Sequence, residues 1–457
     1  MKGFVPTPEF VVDLMVGKLF ADGPPGASAR VLDPGCGNGE FIAGVLRLCA
    51  QRSWPVPLIV GIELDPERAA RAKRRFRDIA QVTIRNADFL QPSRETFDFV
   101  IGNPPYVSIL ELSAEERLAY RTAYRTACGR FDLYVLFFEQ ALRLVAPDGR
   151  IVFITPEKFL YVETAKPLRD LLRSVQVDEL HFLGEDTFED RVTYPLVSTI
   201  VRTAHKTRTR IVRRDGGVST DFIDVASTWL PIVQGFVADT AGSTLADAAV
   251  RISCGVATGA DSVFVVSTDR IPRELRKFAH PTISGRQITP ARTIEQNSSL
   301  LAPYDHFGTL LPESSLGELG RFLREPNRFD RLQARSCVAH KPWYAFHDNL
   351  PLADMRRPKL LCKDITESPF FMVDRDGTIV PRHSVYYVVP SNPVDLEPLA
   401  EYLNSPPVTA WLHAHCQRAA GGFLRLQSHV LKQIPIPASF TSASTLQLRD
   451  QFELRPA

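Results

Sequence analysis

The sequence predicts an α/β fold, with a parallel-rich sheet covered by helices on both faces and a second domain of different rhythm behind it. Three observations predict it. Apolar strand-like runs alternate with helix-spaced segments through the first half of the chain. A glycine-rich loop, "DPGCGNG" (Asp33 to Gly39), joins the first strand to the first helix of that series. After about residue 240 the alternation gives way to short β-like pieces among prolines and loops. A chain of 457 residues is too long for one compact core, so two domains are expected, 1–235 and 240–457.

Each element has its own local reason. "ARVLD" reads as a buried strand and "EFIAGVLRLCAQR" as the helix after the glycine loop. "PLIVGIELD" is a second strand, and "PERAARAKRRFRDIA" a helix whose proline suits the first turn. "VTIRNADFL" and "FDFVIGNPPY" are the third and fourth strands. "FDLYVLFFEQALRLV" is a helix ended by the turn signal "APDGR". "IVFITPEKFL", "VDELHFLGE" and "TYPLVSTIVR" complete seven strands, with Pro195 tolerable near an edge or bulge. The basic stretch "HKTRTRIVRR" (His205 to Arg214) follows. In the second domain "DSVFVVS", "PKLLCKDI" and "SVYYVVP" read as β-like.

Composition narrows the class. Hydrophobic residues make up 44% and charged residues 23%, ordinary for a soluble globular protein. A net charge of +2 neither demands nor excludes a nucleic-acid partner. No apolar run is long enough to span a bilayer, and the first residues lack a signal-peptide core. Seven scattered cysteines without a Cys-x-x-Cys pair argue against a disulfide framework or zinc site and fit the cytoplasm.

The strand ends carry the chemistry. A pyrophosphate wants backbone N–H donors and no anion nearby, but Asp33 stands directly at the glycine loop. That carboxylate suits an amino or sulfonium group, and Gly35 allows the backbone to approach it. Glu63 ends the second strand, where an acid accepts from ribose hydroxyls. Asp88 ends the third, placed to accept from an adenine amine with Phe89 beside it. Each acid alone is an ordinary turn or cap residue. Together they describe a nucleoside with a cationic tail: S-adenosylmethionine fits and NAD does not. Asn103 closes the fourth strand in "NPPY". A conjugated amine is a poor nucleophile. Acceptors at the Asn103 side-chain oxygen and the Pro104 carbonyl would draw its nitrogen toward sp³ geometry, with the prolines preorganising both. Tyr106 would stack on a planar substrate.

The motif order "TP" (Thr7, Pro8), "DPGCGNG", "ELD", "ADF", "NPPY", "FLGEDTF" and "VTYPLVSTIV" resembles that of the TaqI-type (γ-class) adenine-N6 DNA methyltransferases. These belong to the class I S-adenosylmethionine-dependent superfamily. The resemblance implies a Rossmann-like seven-stranded methyltransferase sheet and a C-terminal mixed α/β DNA-recognition domain. It implies cofactor contacts at Thr7, Asp33, Gly35, Glu63, Asp88, Phe89 and Pro105. It gives Asn103, Pro104 and Tyr106 the target amine and makes Phe188 the aromatic that stacks on the flipped base. The spacing in "GEDTFED" departs by one residue from the family pattern, which makes Tyr194 the reserve.

"PTISGRQITP", "RPKLLCKDI", "LAEYLNSPPV" and "RAAGGFLRLQSHVLKQIPIP" resemble the family's DNA-recognition blocks in order. Double-stranded DNA is the implied partner, with a cognate restriction endonuclease possible and a monomer expected. A buried adenine must be extruded at a few kcal/mol, offset by stacking of about 1–3 kcal/mol per base. "HKTRTRIVRR" and Arg286, Lys341, Arg356, Arg357, Arg418 and Arg425 are candidates to hold phosphates or read bases. "GGFLR" stands out, because its glycines permit close approach to a backbone. Rival readings are a protein glutamine-amide or RNA-adenine methyltransferase and a non-catalytic DNA-binding protein. A nuclease–methylase fusion is disfavoured, as the motifs begin at residue 7.

Overall fold

The computed structural model describes residues 5–188, 194–223, 228–235, 242–290 and 297–441. Two compact units divide the chain, Met1–Phe236 and Val237–Ala457.

The first unit runs α1 (Glu9–Leu19), β1 (Arg30–Asp33), α2 (Glu40–Arg52), β2 (Leu58–Glu63), α3 (Pro66–Arg75), β3 (Val82–Asn86) and β4 (Phe97–Gly102). It continues through α4 (Ala114–Ala123), α5 (Leu133–Leu144), β5 (Val145–Pro156), α6 (Lys166–Leu172), β6 (Gln176–Phe182), β7 (Pro195–Val201), β8 (Thr209–Val212) and β9 (Val218–Asp221). These strands form one sheet in the order β3-β2-β1-β4-β5-β7-β6-β8-β9. β3 to β5 are parallel, and β7 is antiparallel to both its neighbours. All seven expected strands are present, and β8 and β9 extend the edge beyond β6. The chain order reverses between β1 and β4, which lie side by side with Val31 opposite Phe99. Ligands of open α/β sheets bind outside the strand carboxyl ends at such a reversal, and here the glycine loop and Asn103 leave the sheet together.

Several local expectations are corrected. The turn expected at Ala146–Arg150 is an irregularity inside β5, where Phe97 pairs Val145 but Phe99 pairs Arg150. Asp148 takes a positive φ of 59° there. Pro195 is in the sheet interior, tolerated because it is the first residue of β7; Thr193 lies outside the described residues. α1 and α4 were not expected. α1 buries Val11, Val12, Met15, Val16 and Leu19, and α4 starts on a Ser113–Glu116 capping box.

The basic stretch is not a free charged strip. Part of it forms β8, where Arg210 pairs with Glu179, and Arg214 just beyond the strand pairs with the buried Glu157. Arg213 donates to the Val233 carbonyl and to Ser219. Its charges are drawn into the fold because β8 lies between β6 and β9, which brings Arg210 beside Glu179 of β6 and Arg213 beside Ser219 of β9.

The second unit has its own core around Leu300, Phe346 and Tyr387. One four-stranded sheet joins Ala249–Cys254, Val385–Pro390, Lys359–Lys363 and Met372–Asp374 in that spatial order. In "DSVFVVS" only Val265–Ser267 is strand. Asp261–Phe264 is a helical turn, started where Thr258 donates to Asp261.

Candidate active site

The glycine loop is held by geometry that a side chain would break. Gly39 caps α2 at φ 87°, and a Cβ there would stand 2.3 Å from the Phe76 ring. Gly61 on β2 lets the loop approach: a Cβ would meet Cys36 Sγ and Ile84 Cδ1, each at 2.9 Å. The Cys36 amide donates to the Ile62 carbonyl, tying the loop to β2.

Asp33 is 1% exposed, and neither carboxylate oxygen has a hydrogen-bond partner among the described residues. Burial pushes its pKa well above the carboxylate range, and nearby Glu63 adds to the shift. The Gly35 amide opposes it from close by without completing a well-formed hydrogen bond. An acid kept in such a place without a partner fits a ligand that brings a cation or N–H donors.

Glu63 is also buried, but engaged. Its oxygens accept from the Gly37 amide at 2.9 Å and the Asp65 amide at 2.8 Å, and Arg68 stands 3.2 Å away. It organises the loop and the start of α3, and a carboxylate's four lone-pair sites leave room for a hydroxyl. Arg68 was missed from the sequence. The signal was there: Asp65 caps α3 by accepting from the Glu67 and Arg68 amides, which fixes Arg68 in the first turn beside Glu63. Asp88 accepts from the Leu90 amide at 2.9 Å and from Gln91 at 3.2 Å. Phe89 is buried against Phe137, ring centroids 5.0 Å apart.

A cavity of about 590 Å³ gathers these positions. Thr7, Gly35, Glu63, Asp88, Phe89, Pro105 and Asn103 all line it; Asp33, Pro104, Tyr106 and Phe188 do not. Asp33 is buried, and the two residues that follow it in the chain, Pro34 and Gly35, line the cavity. The donor set therefore suits S-adenosylmethionine: apolar walls, acids at three strand ends, and an unpartnered buried carboxylate at the start of the loop.

Asn103 has a fixed orientation. Its Nδ2 donates to the Val5 carbonyl and to Thr7 Oγ1, both at 3.1 Å. With the amide N–H groups engaged, Oδ1 is the acceptor left for a substrate. The N-terminal segment thus sets the orientation of the Asn103 amide, a role the sequence did not reveal for Val5. Pro104 is buried, and the Tyr106 hydroxyl donates to the Ile154 carbonyl at 3.3 Å with its ring edge-on to Tyr134.

Phe188 requires a correction. It is 5% exposed and belongs to the buried apolar cluster that includes Val11, Met15, Ile154 and Val197, so among the described residues it presents no open ring face. α1, unforeseen in the sequence, supplies part of the apolar cluster that encloses it. Tyr194, the reserve, is half-buried with the Arg214 guanidinium 5.1 Å from its ring centroid.

Residues 59–188 match the family described as Eco57I restriction-modification methylase, and residues 319–436 match the TaqI-like C-terminal specificity domain. Type II methyltransferase M.PaeR7I of Pseudomonas aeruginosa is 26% identical over 94% of this chain and 84% of its own length. Type II methyltransferase M.XhoI of Xanthomonas vasicola is 26% identical over 94% of this chain and 89% of its own. Among solved structures, the ATP-dependent type ISP restriction-modification enzyme LlaBIII bound to DNA is 12% identical, with a TM-score of 0.50. That match covers 86% of this chain and 34% of the other, and bears on fold alone. With one family match on each unit and relatives spanning nearly the whole chain, the protein belongs to the TaqI-like type II DNA methyltransferases, and its methyl donor is S-adenosylmethionine.

Proposed function

We propose that this enzyme methylates N6 of an adenine extruded from duplex DNA, as the modification enzyme of a restriction-modification system. The first unit performs the chemistry and the second recognises the site. The enzyme acts as a monomer in the cytoplasm beside a cognate endonuclease. Among the described residues no helix is long and apolar enough to cross a membrane.

The observation that carries this reading is the orientation of Asn103, whose Nδ2 is held by Val5 and Thr7 so that Oδ1 is left as an acceptor at the cofactor cavity. When bound, S-adenosylmethionine supplies an electrophilic sulfonium methyl. Thr7, Gly35, Glu63, Asp88, Phe89 and Pro105 would line its site, with Asp33 buried at the start of the loop. The chain's own part is to prepare the amine. Asn103 Oδ1 and the Pro104 carbonyl accept its two N–H groups and bring the lone pair out of conjugation. Tyr106 forms one wall for the base, anchored by its hydroxyl at Ile154. The departing proton becomes acidic only after the new N–C bond has formed, so no side chain acts as a base before attack.

The test offers tritiated S-adenosylmethionine with duplex DNA, RNA and total protein, and digests the product to nucleosides. The reading expects label in N6-methyldeoxyadenosine. Label in RNA or in glutamine amide would replace it.

A further inference from the structure

In the second unit, three short strands form a separate sheet: Ile365–Thr366, Leu424–Arg425 and Gln417–Arg418. Arg425 pairs with Ile365 on one side and with Gln417 on the other. Residues opposite one another in antiparallel strands share a face, so Ile365, Arg425 and Gln417 form one row. This face is open: Ile365 is 48% exposed and the Arg425 side chain 50%. The alternate residues, Thr366 and Leu424, are buried. Gln417 to Arg425 is a β-hairpin whose turn passes through Gly421 and Gly422 at φ 74° and 76°. A Cβ at Gly422 would meet nothing within 4 Å, so the turn is thin and open. Arg418 braces it by donating to the Gly422 carbonyl at 3.1 Å, and exposed Phe423 stands beside it.

Behind the row lies Asp364. Its Oδ1 is buried without a hydrogen-bond partner among the described residues, and Arg425 Nε stands 3.8 Å from it. A pair formed for stability would close that gap. Here the carboxylate faces the Nε side of the guanidinium, and neither Nη makes a hydrogen bond among the described residues. A half-exposed forked cation whose two Nη groups make no hydrogen bond among the described residues matches guanine O6 and N7 in the major groove, and that groove admits a two-stranded β-ribbon.

We propose that the Gln417–Arg425 hairpin enters the major groove and that Arg425, positioned by Asp364, reads a guanine of the recognition sequence. This rests on the proposed action on duplex DNA. Flanking Gln417 and Ile365 offer an amide and an apolar surface to the adjacent base edges.

The test expresses the full chain and its variants in cells and maps methylated adenines by modified-base sequencing. The wild-type motif should contain a guanine at one position that Arg425→Ala renders degenerate, with discrimination there falling about tenfold or more. Arg425→Gln should shift that same position toward adenine. Asp364→Asn should relax it partly, with melting temperature and cofactor affinity unchanged. An intact motif in Arg425→Ala, or a uniform loss of methylation at every site, overturns the inference while leaving DNA methylation standing. Absence of methylated DNA from wild type overturns both.

Discussion

At the scale of single residues, the strand-end groups were the legible part of the site. Asp33, Glu63, Asp88 and Asn103 each sit where local sequence marks the end of an apolar run, and the fold brings the last three to the lining of one cavity, with Asp33 buried. What stayed hidden were roles set by distant partners: Arg68 through Glu63, Val5 through Asn103, and the burial of Phe188 under α1. Asp33 makes a sharp prediction. Its folded-state pKa is raised by burial, so its ionised form weakens the fold at neutral pH and its protonated form does not. Asp33→Asn should therefore leave the melting temperature at pH 7 equal or higher. That advantage should shrink as pH falls through the raised pKa, while calorimetry shows weaker S-adenosylmethionine binding. A variant that unfolds at pH 7, or binds the cofactor like wild type, contradicts the assigned role. Gly61→Ala should cost about 1–3 kcal/mol by overpacking against Cys36 and Ile84, and should weaken cofactor binding with it, as denaturation and calorimetry would report.

At the scale of elements, the seven sheet strands were readable because period and punctuation agree. α1 was not, since its core-facing positions crowd a short segment that starts on Pro8 without a side-chain cap. Its placement is fixed by a charge cluster that no local pattern announces. Lys18 of α1 and Arg210 of β8 both pair with Glu179 of β6, and His181 Nδ1 lies 3.6 Å away. Burial alone would raise the Glu179 carboxyl, but His181, Lys18 and Arg210 outweigh it and hold it down at about 2. The stabilisation is therefore complete above the unfolded carboxyl pKa of about 4.3 and is lost as pH falls toward 2. Glu179→Gln should destabilise the fold by about 1–3 kcal/mol at pH 7, and the gap from wild type should narrow in melts at successively lower pH. A gap independent of pH would show that packing, not charge, accounts for the loss.

At the scale of the whole molecule, the sequence showed the division into two parts through a change of rhythm, and the two units hold separate apolar cores. A fragment of residues 1–236 should bind S-adenosylmethionine but not methylate a specific DNA site if, as proposed, recognition belongs to the second unit. DNA binding by the full chain should weaken steeply with salt as phosphate contacts release counterions, measurable by fluorescence anisotropy. Of the stretch His205–Arg214, Arg210, Arg213 and Arg214 are engaged within the fold, while His205 and Arg208 are exposed.

The central claim is that Asn103 Oδ1, aimed by Val5 and Thr7, prepares an adenine amine for methyl transfer. Single-turnover methylation of duplex DNA by wild type and Asn103→Ala, with calorimetric cofactor affinity measured alongside, tests it most directly. The account predicts a rate loss on the order of 10²–10³-fold for removing one preorganised polar group at the reacting centre, with cofactor and DNA affinities nearly unchanged. Methylation by Asn103→Ala at the wild-type single-turnover rate would contradict it.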